Sequence, residues 1–176
     1  SCSHGVGRWQ DDCGCGGGGE WNQKWRRPLR DTLNWLRDRL IPIYEEAGRK
    51  LLCDPWKARD EYIEVIRDRS PSNVESFLER HQVRPLDAGE QVDALRLLEM
   101  QRHALFMFTS CGWFFEEISR PEGVQILRYA ARALELAGEV AGIQLEKSFL
   151  RRLTAAPSNV DFFKHGGEVY RQLVVS

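Results

Sequence analysis

From Pro28 onward the apolar residues of this 176-residue chain recur every three to four positions, and that period admits little but packed α-helices. In the first such segment Leu29, Leu33, Leu36 and Leu40 share one stripe, with Arg and Asp filling the rest. Pro28 suits a first helical turn, where its missing N–H has no intrahelical partner to lose, and Pro42 should kink or end the helix. Asp54 before Pro55 reads as the cap and first residue of a second helix, with Tyr62, Ile63 and Ile66 as its apolar stripe. Asp87 with Glu90 three places later resembles a capping box. It opens a long segment, to Phe108, whose second half loses its polar side and should be buried all round. A further helix starts at Pro121 and weakens at Gly138 and Gly142. Strand-like alternation is nearly absent: the tail Gln172-Leu173-Val174-Val175 fits a short strand or a frayed helix end equally. Two similar stretches, Pro71-Ser72-Asn73-Val74 and Pro157-Ser158-Asn159-Val160, read as shared helix-start chemistry and not as a repeat, because nothing else aligns between them. The expected fold is all-α, a single domain with a helical bundle of five or six helices over 28–176.

Residues 1–27 are different in kind. They hold seven of the 15 Gly, three of the 5 Cys and three of the 6 Trp, so backbone freedom, soft donor atoms and large aromatic surfaces are concentrated together. A flexible linker would account for Gly16 to Gly19. Trp9, Trp21 and Trp25 are too apolar to leave in water, so the segment is read as a structured loop covered by another surface.

With 25 basic and 26 acidic side chains, the chain has no net positive field to gather a nucleic acid or an anionic lipid surface. No apolar run reaches the roughly 18 residues of a spanning helix, and the polar opening is no signal peptide. An odd number of cysteines without a secretory signal points to reduced thiols or metal ligands, hence a cytoplasmic setting. Twenty of the basic residues are Arg, interleaved with acids along the same segments, which predicts solvated ion-pair faces. The chain opens without Met, as expected of a fragment cut from a longer polypeptide.

Cys2, His4, Cys13 and Cys15 form the sharpest chemical set. Three thiols and an imidazole are a tetrahedral donor set soft enough to prefer zinc to magnesium or calcium. Both pairs have one intervening residue where zinc motifs usually have two or more, so surface thiols on a Gly-rich loop are the plainer reading. A Cys13/Cys15 redox pair is a third, with Arg8 as the only cation nearby in sequence. His103, four residues after Glu99, belongs either to a buried polar cluster with Cys111 or, more economically, to a core satisfied by Glu99 or a backbone carbonyl. Glu116 and Glu117 are adjacent, point apart on a helix and read as solvated surface acids, not a facing glycosidase pair. Trp35 and Trp56 belong to helices, whereas Trp9, Trp21, Trp25 and Trp113 suit either an interface or the apolar faces of sugar rings. No phosphate loop is present: Gly14 to Gly19 lacks a GxxxxGK[ST] pattern.

Several of these blocks occur together in one known setting. Ser1-Cys2-Ser3-His4-Gly5-Val6-Gly7-Arg8-Trp9, Asp12-Cys13-Gly14-Cys15, Trp21-Asn22-Gln23-Lys24-Trp25-Arg26, Gln101-Arg102-His103-Ala104-Leu105 and Thr109-Ser110-Cys111-Gly112-Trp113-Phe114-Phe115 resemble the C-terminal region of uncharacterised bacterial proteins related to glycoside hydrolase family 57. In those longer proteins the region follows a polysaccharide-deacetylase-like barrel and is itself a domain of unknown function. The resemblance implies α-glucan or related oligosaccharide chemistry for the parent, with this region as a non-catalytic partner of the N-terminal barrel. The family's catalytic Glu and Asp lie on barrel strands, so no catalytic residue carries over. Trp9, Trp21, Trp25 and Trp113 would then cover the barrel or stack on an oligosaccharide, with His4, Arg8, Asp12 and His103 as polar contacts. The rival expectation is a zinc-stabilised protein-interaction domain held by Cys2, His4, Cys13 and Cys15.

Overall fold

The computed structural model describes residues 3–16 and 18–175. Among them the chain is all-helical, with two isolated antiparallel bridges, Leu52 with Gln82 and Pro157 with His165, and no strand. The helices are α1 (Arg26–Arg49), α2 (Pro55–Glu61), α3 (Ile63–Arg67), α4 (Pro71–His81), α5 (Ala88–Phe106), α6 (Pro121–Ala141), α7 (Glu146–Leu153) and α8 (Gly166–Leu173). The expectation of five or six matches the helices of eight or more residues; α2 and α3 are short additions. Single turns of 3-10 helix occupy Gly5–Trp9 and Ser110–Trp113.

The predicted start signals operate as hydrogen bonds. Asp54 accepts from the Lys57 amide at 3.1 Å, and Asp87 and Glu90 close a reciprocal capping box. At the other end of α6, Gly142 terminates the helix at φ 67°. Among the described residues no helix is long and apolar enough to cross a membrane.

The helix α1 runs down the middle of the molecule, against α5, α6 and α7. Its stripe of Leu29, Leu33, Leu36 and Leu40 is wholly buried, each leucine contributing about 1.5–3 kcal/mol of transfer free energy. The stripe continues through Ile43 and Tyr44, and α1 accordingly passes Pro42 without ending. Packing on that continued face outweighs the backbone hydrogen bond that proline forfeits, so the expected break does not occur. The most extensive helix–helix contact joins α5 and α6, where Ala94 and Ala104 on one and Ala130, Ala133 and Ala137 on the other keep the interface shallow. The end of α5 is less enclosed than its composition predicts: Met100, Gln101 and Ala104 are buried, but Leu105 is 58% exposed.

Two glycines of α6 have opposite surroundings. A Cβ on Gly123 would stand 2.2 Å from the Ile118 carbonyl oxygen, whereas one on Gly138 would meet only the mobile end of Gln144 at 3.0 Å. Gly138→Ala should therefore stabilise the chain by about 0.5–1 kcal/mol through helix propensity. Gly123→Ala should destabilise it by about 1–3 kcal/mol, because backbone must move. Denaturant unfolding of the two variants distinguishes them.

Candidate functional site

Three loops meet at the end of the molecule where α1 begins: the N-terminal loop to Trp25, the loop between α5 and α6, and the loop between α7 and α8. Their junction is a buried carboxylate. Glu117, 2% exposed, accepts from the Ser119 amide (3.1 Å), the Ser158 hydroxyl (2.6 Å), the Asn159 amide (2.7 Å) and the Asn159 side chain (3.0 Å). A carboxylate out of water is tolerated only when its lone pairs are met, and here four neutral donors meet them. The Asn159 side chain extends the network, donating to the carbonyls of Asn22 and Glu116 at 2.9 Å each and accepting from the Asn22 amide at 3.0 Å. Glu117 is thus neither solvated nor on a helix surface, as its neighbours in sequence had suggested. The stretch Pro157–Val160 caps no helix; only its counterpart Pro71–Val74 starts one. At 157–160 Ser158 and Asn159 hold a carboxylate, whereas at the start of α4 no side chain caps the helix and Asn73 donates to the Glu64 and Asp68 carbonyls.

Beside this network lie two indoles expected to face a partner. Trp25 and Trp113 are both 0% exposed and stack at 6.0 Å with an interplanar angle of 21°. Trp25 donates its ring N–H to the Glu116 carbonyl at 2.9 Å. They are core, because the three loops fold over them, and cannot meet a sugar or a barrel in this arrangement. Trp9 is half-buried, its carbonyl accepting from Arg30 at 3.3 Å, and Trp21 stays 46% exposed. The apolar surface left in solvent on these loops is Val6, Trp21, Phe114 and Phe162. Composition drew attention to the tryptophans and missed both phenylalanines.

The thiol and imidazole residues converge. His4 Nδ1 lies 3.2 Å from the Cys15 sulfur, and ligand atoms of His4, Cys13 and Cys15 all fall within 4.8 Å of one another. Cys2, the fourth of the sequence set, lies outside the described residues. Asp12 shapes the turn, its carboxylate accepting from the Gly14 amide at 2.9 Å. The cation beside the thiols is Arg26, not Arg8. Arg26 is fully buried and points NH1 at the Cys13 sulfur (3.6 Å) and NH2 at the Phe115 carbonyl (3.2 Å), while its Nε has no partner. Arg8 instead covers the Phe114 ring at 4.8 Å. A shallow groove of about 280 Å³ opens alongside, lined by Asp12, Gly14, Trp21 and Asn22 among others. A larger groove of about 750 Å³ lies elsewhere, on the ion-paired face of α6 and α8 around Arg132, Glu135 and Glu139.

His103 takes the structural role. Its Nδ1 meets the Glu99 carbonyl at 2.8 Å, and its ring rests edge-on against Phe106 and Tyr129. Burial pushes the Glu99 carboxyl up, but hydrogen bonds from Tyr62 (2.7 Å), Arg69 (2.9 Å) and Arg102 (3.2 Å) outweigh it and hold the group below its usual range.

Comparison with known proteins gives one match. Residues 21–176 match the family described as Domain of unknown function (DUF3536). The chain belongs to that family. No curated protein and no solved structure matches it. The matched region holds Trp25, Trp113, Glu117 and Asn159, whereas His4, Cys13 and Cys15 precede it.

Asn159→Ala removes the bridge between all three loops and leaves part of a buried carboxylate unmet. Stability should fall by about 2–4 kcal/mol in denaturant unfolding. Asn159→Asp replaces that side-chain donor with a second carboxyl against Glu117 and the Asn22 and Glu116 carbonyls, so it should destabilise at least as much as the alanine variant in the same measurement.

Proposed function

We propose that this domain is a non-catalytic helical scaffold whose loop end docks against a catalytic-type barrel of the same, family-57-like carbohydrate-active polypeptide. The observation that carries the reading is the placement of exposed apolar side chains. Trp21 (46% exposed), Phe114 (54%) and Phe162 (70%) sit on the same three loops that Glu117 and Asn159 tie together, so they are presented from a braced frame. Large side chains left in water on a braced surface favour a partner surface, since the backbone that presents them is already ordered before binding. Val6 and Trp21 of the N-terminal loop form part of this face, so a domain joined ahead of that loop would be held next to it. The resemblance to family-57-related proteins supplies the identity of that partner and an oligosaccharide as the substrate class of the whole. Within the domain, Glu117 is occupied by Ser158 and Asn159, and Glu99 by Tyr62, Arg69 and Arg102, which leaves these two acids to structure.

The test is association with the polypeptide encoded ahead of Ser1. On joining it, Trp21 should become shielded from aqueous quenchers, and Trp21→Ala with Phe114→Ala and Phe162→Ala should weaken association on the order of tenfold or more. The chain alone should release no sugar from α-glucans. Turnover by the chain alone, or unchanged association of the triple variant, would overturn the reading.

A further inference from the structure

We propose that His4, Cys13 and Cys15 bind one soft divalent cation of the zinc type, which closes the N-terminal loop on itself ahead of α1. Tetrahedral zinc bonds sulfur at about 2.3 Å and imidazole nitrogen at about 2.0–2.1 Å, which sets neighbouring donors roughly 3.4–3.8 Å apart. The contact of 3.2 Å between His4 Nδ1 and the Cys15 sulfur, with all donors inside 4.8 Å, brackets that spacing. Two sulfurs and a nitrogen are a soft set, matched to zinc and poorly matched to magnesium or calcium.

The one-residue separation of Cys13 and Cys15, an obstacle in extended chain, is removed by the backbone. Gly14 sits at φ 71°, with its amide tied to Asp12, and the turn lets both sulfurs face His4. A second observation points the same way. Arg26 is wholly buried with its guanidinium 3.6 Å from the Cys13 sulfur and Nε unsatisfied, and among the described residues no carboxylate forms an ion pair with it. An N–H aimed at a coordinating sulfur is the kind of outer contact that orients a ligand.

This site is tested by metal retention on the chain alone, an outcome the docking proposal does not predict either way. The chain is purified under reducing conditions, loaded with zinc or cobalt(II) and passed through gel filtration. One ion per chain is expected, and the cobalt form should show sulfur-to-cobalt charge transfer with the intense visible bands of tetrahedral coordination. Cys13→Ser with Cys15→Ser should abolish both, His4→Ala should weaken affinity by about tenfold or more, and Cys53→Ser with Cys111→Ser should change neither. His4 is exposed, so its variant keeps the fold while testing the ligand set. Absence of retained metal in the reduced native chain, or equal retention by the Cys13/Cys15 variant, overturns the proposal.

Discussion

The loop end exists because one carboxylate is buried. Glu117 has been taken out of water, and its charge is tolerable only while Ser119, Ser158 and Asn159 supply donors. Those donors come from two loops, and Asn159 reaches a third through Asn22. A polar group that must be satisfied therefore does what apolar contact cannot: it selects one register among three irregular segments. The stacked pair Trp25 and Trp113 fills the space beneath, and the Trp25 indole joins the network through the Glu116 carbonyl. The thiol and imidazole cluster and the exposed aromatics are presented from this frame.

Arginine serves two purposes in the molecule. On the outer faces it pairs with acids, as in Arg96 with Asp93 and Glu139 or Arg132 with Glu135, and such exposed pairs contribute little individually. At the loop end the guanidinium is used for its plane. Arg30 lies over Phe108 at 4.8 Å and near Trp113 at 5.7 Å, and Arg8 over Phe114. Arg26 is the extreme case, fully buried between the Trp25 ring, a carbonyl and a sulfur. A lysine at that position would lose the planar fork that reaches two acceptors at once.

Local chemistry was legible where its cause is local. The caps at Asp54 and Asp87, the stop at Gly142 and the stripe of α1 each depend on residues within a few positions of one another. The failures share a different character. Pro42 was read as kinking or ending the helix, and the helix does not end there because the apolar face beyond it, Ile43 and Tyr44, acts through packing partners on other helices. Trp25 and Trp113 were assigned to a partner surface because nothing in either neighbourhood reveals that the two indoles meet. Pro157-Ser158-Asn159-Val160 was read as a cap from its resemblance to Pro71–Val74. The two stretches have the same donors, and only the fold offers one of them a carboxylate. Arg8 was chosen over Arg26 as the cation near the thiols by distance along the chain, which is a poor guide in a Gly-rich loop. Phe114 stood out only as one aromatic of a polar junction that could line a cleft and Phe162 not at all, since an aromatic residue in a loop reads the same whether covered or exposed.

The amino-acid sequence by itself determined that this protein is helical, roughly where its main helices begin and end, and that soft donors are gathered in its first fifteen residues. Periodicity, capping and composition are properties of neighbouring residues, so they survive without a third dimension. The tertiary structure alone decided which indoles are core, that Glu117 is buried, and that His4, Cys13, Cys15 and Arg26 stand together. Those outcomes depend on contacts between segments as much as 137 positions apart, such as Asn22 with Asn159, whose formation rests on how the whole bundle closes.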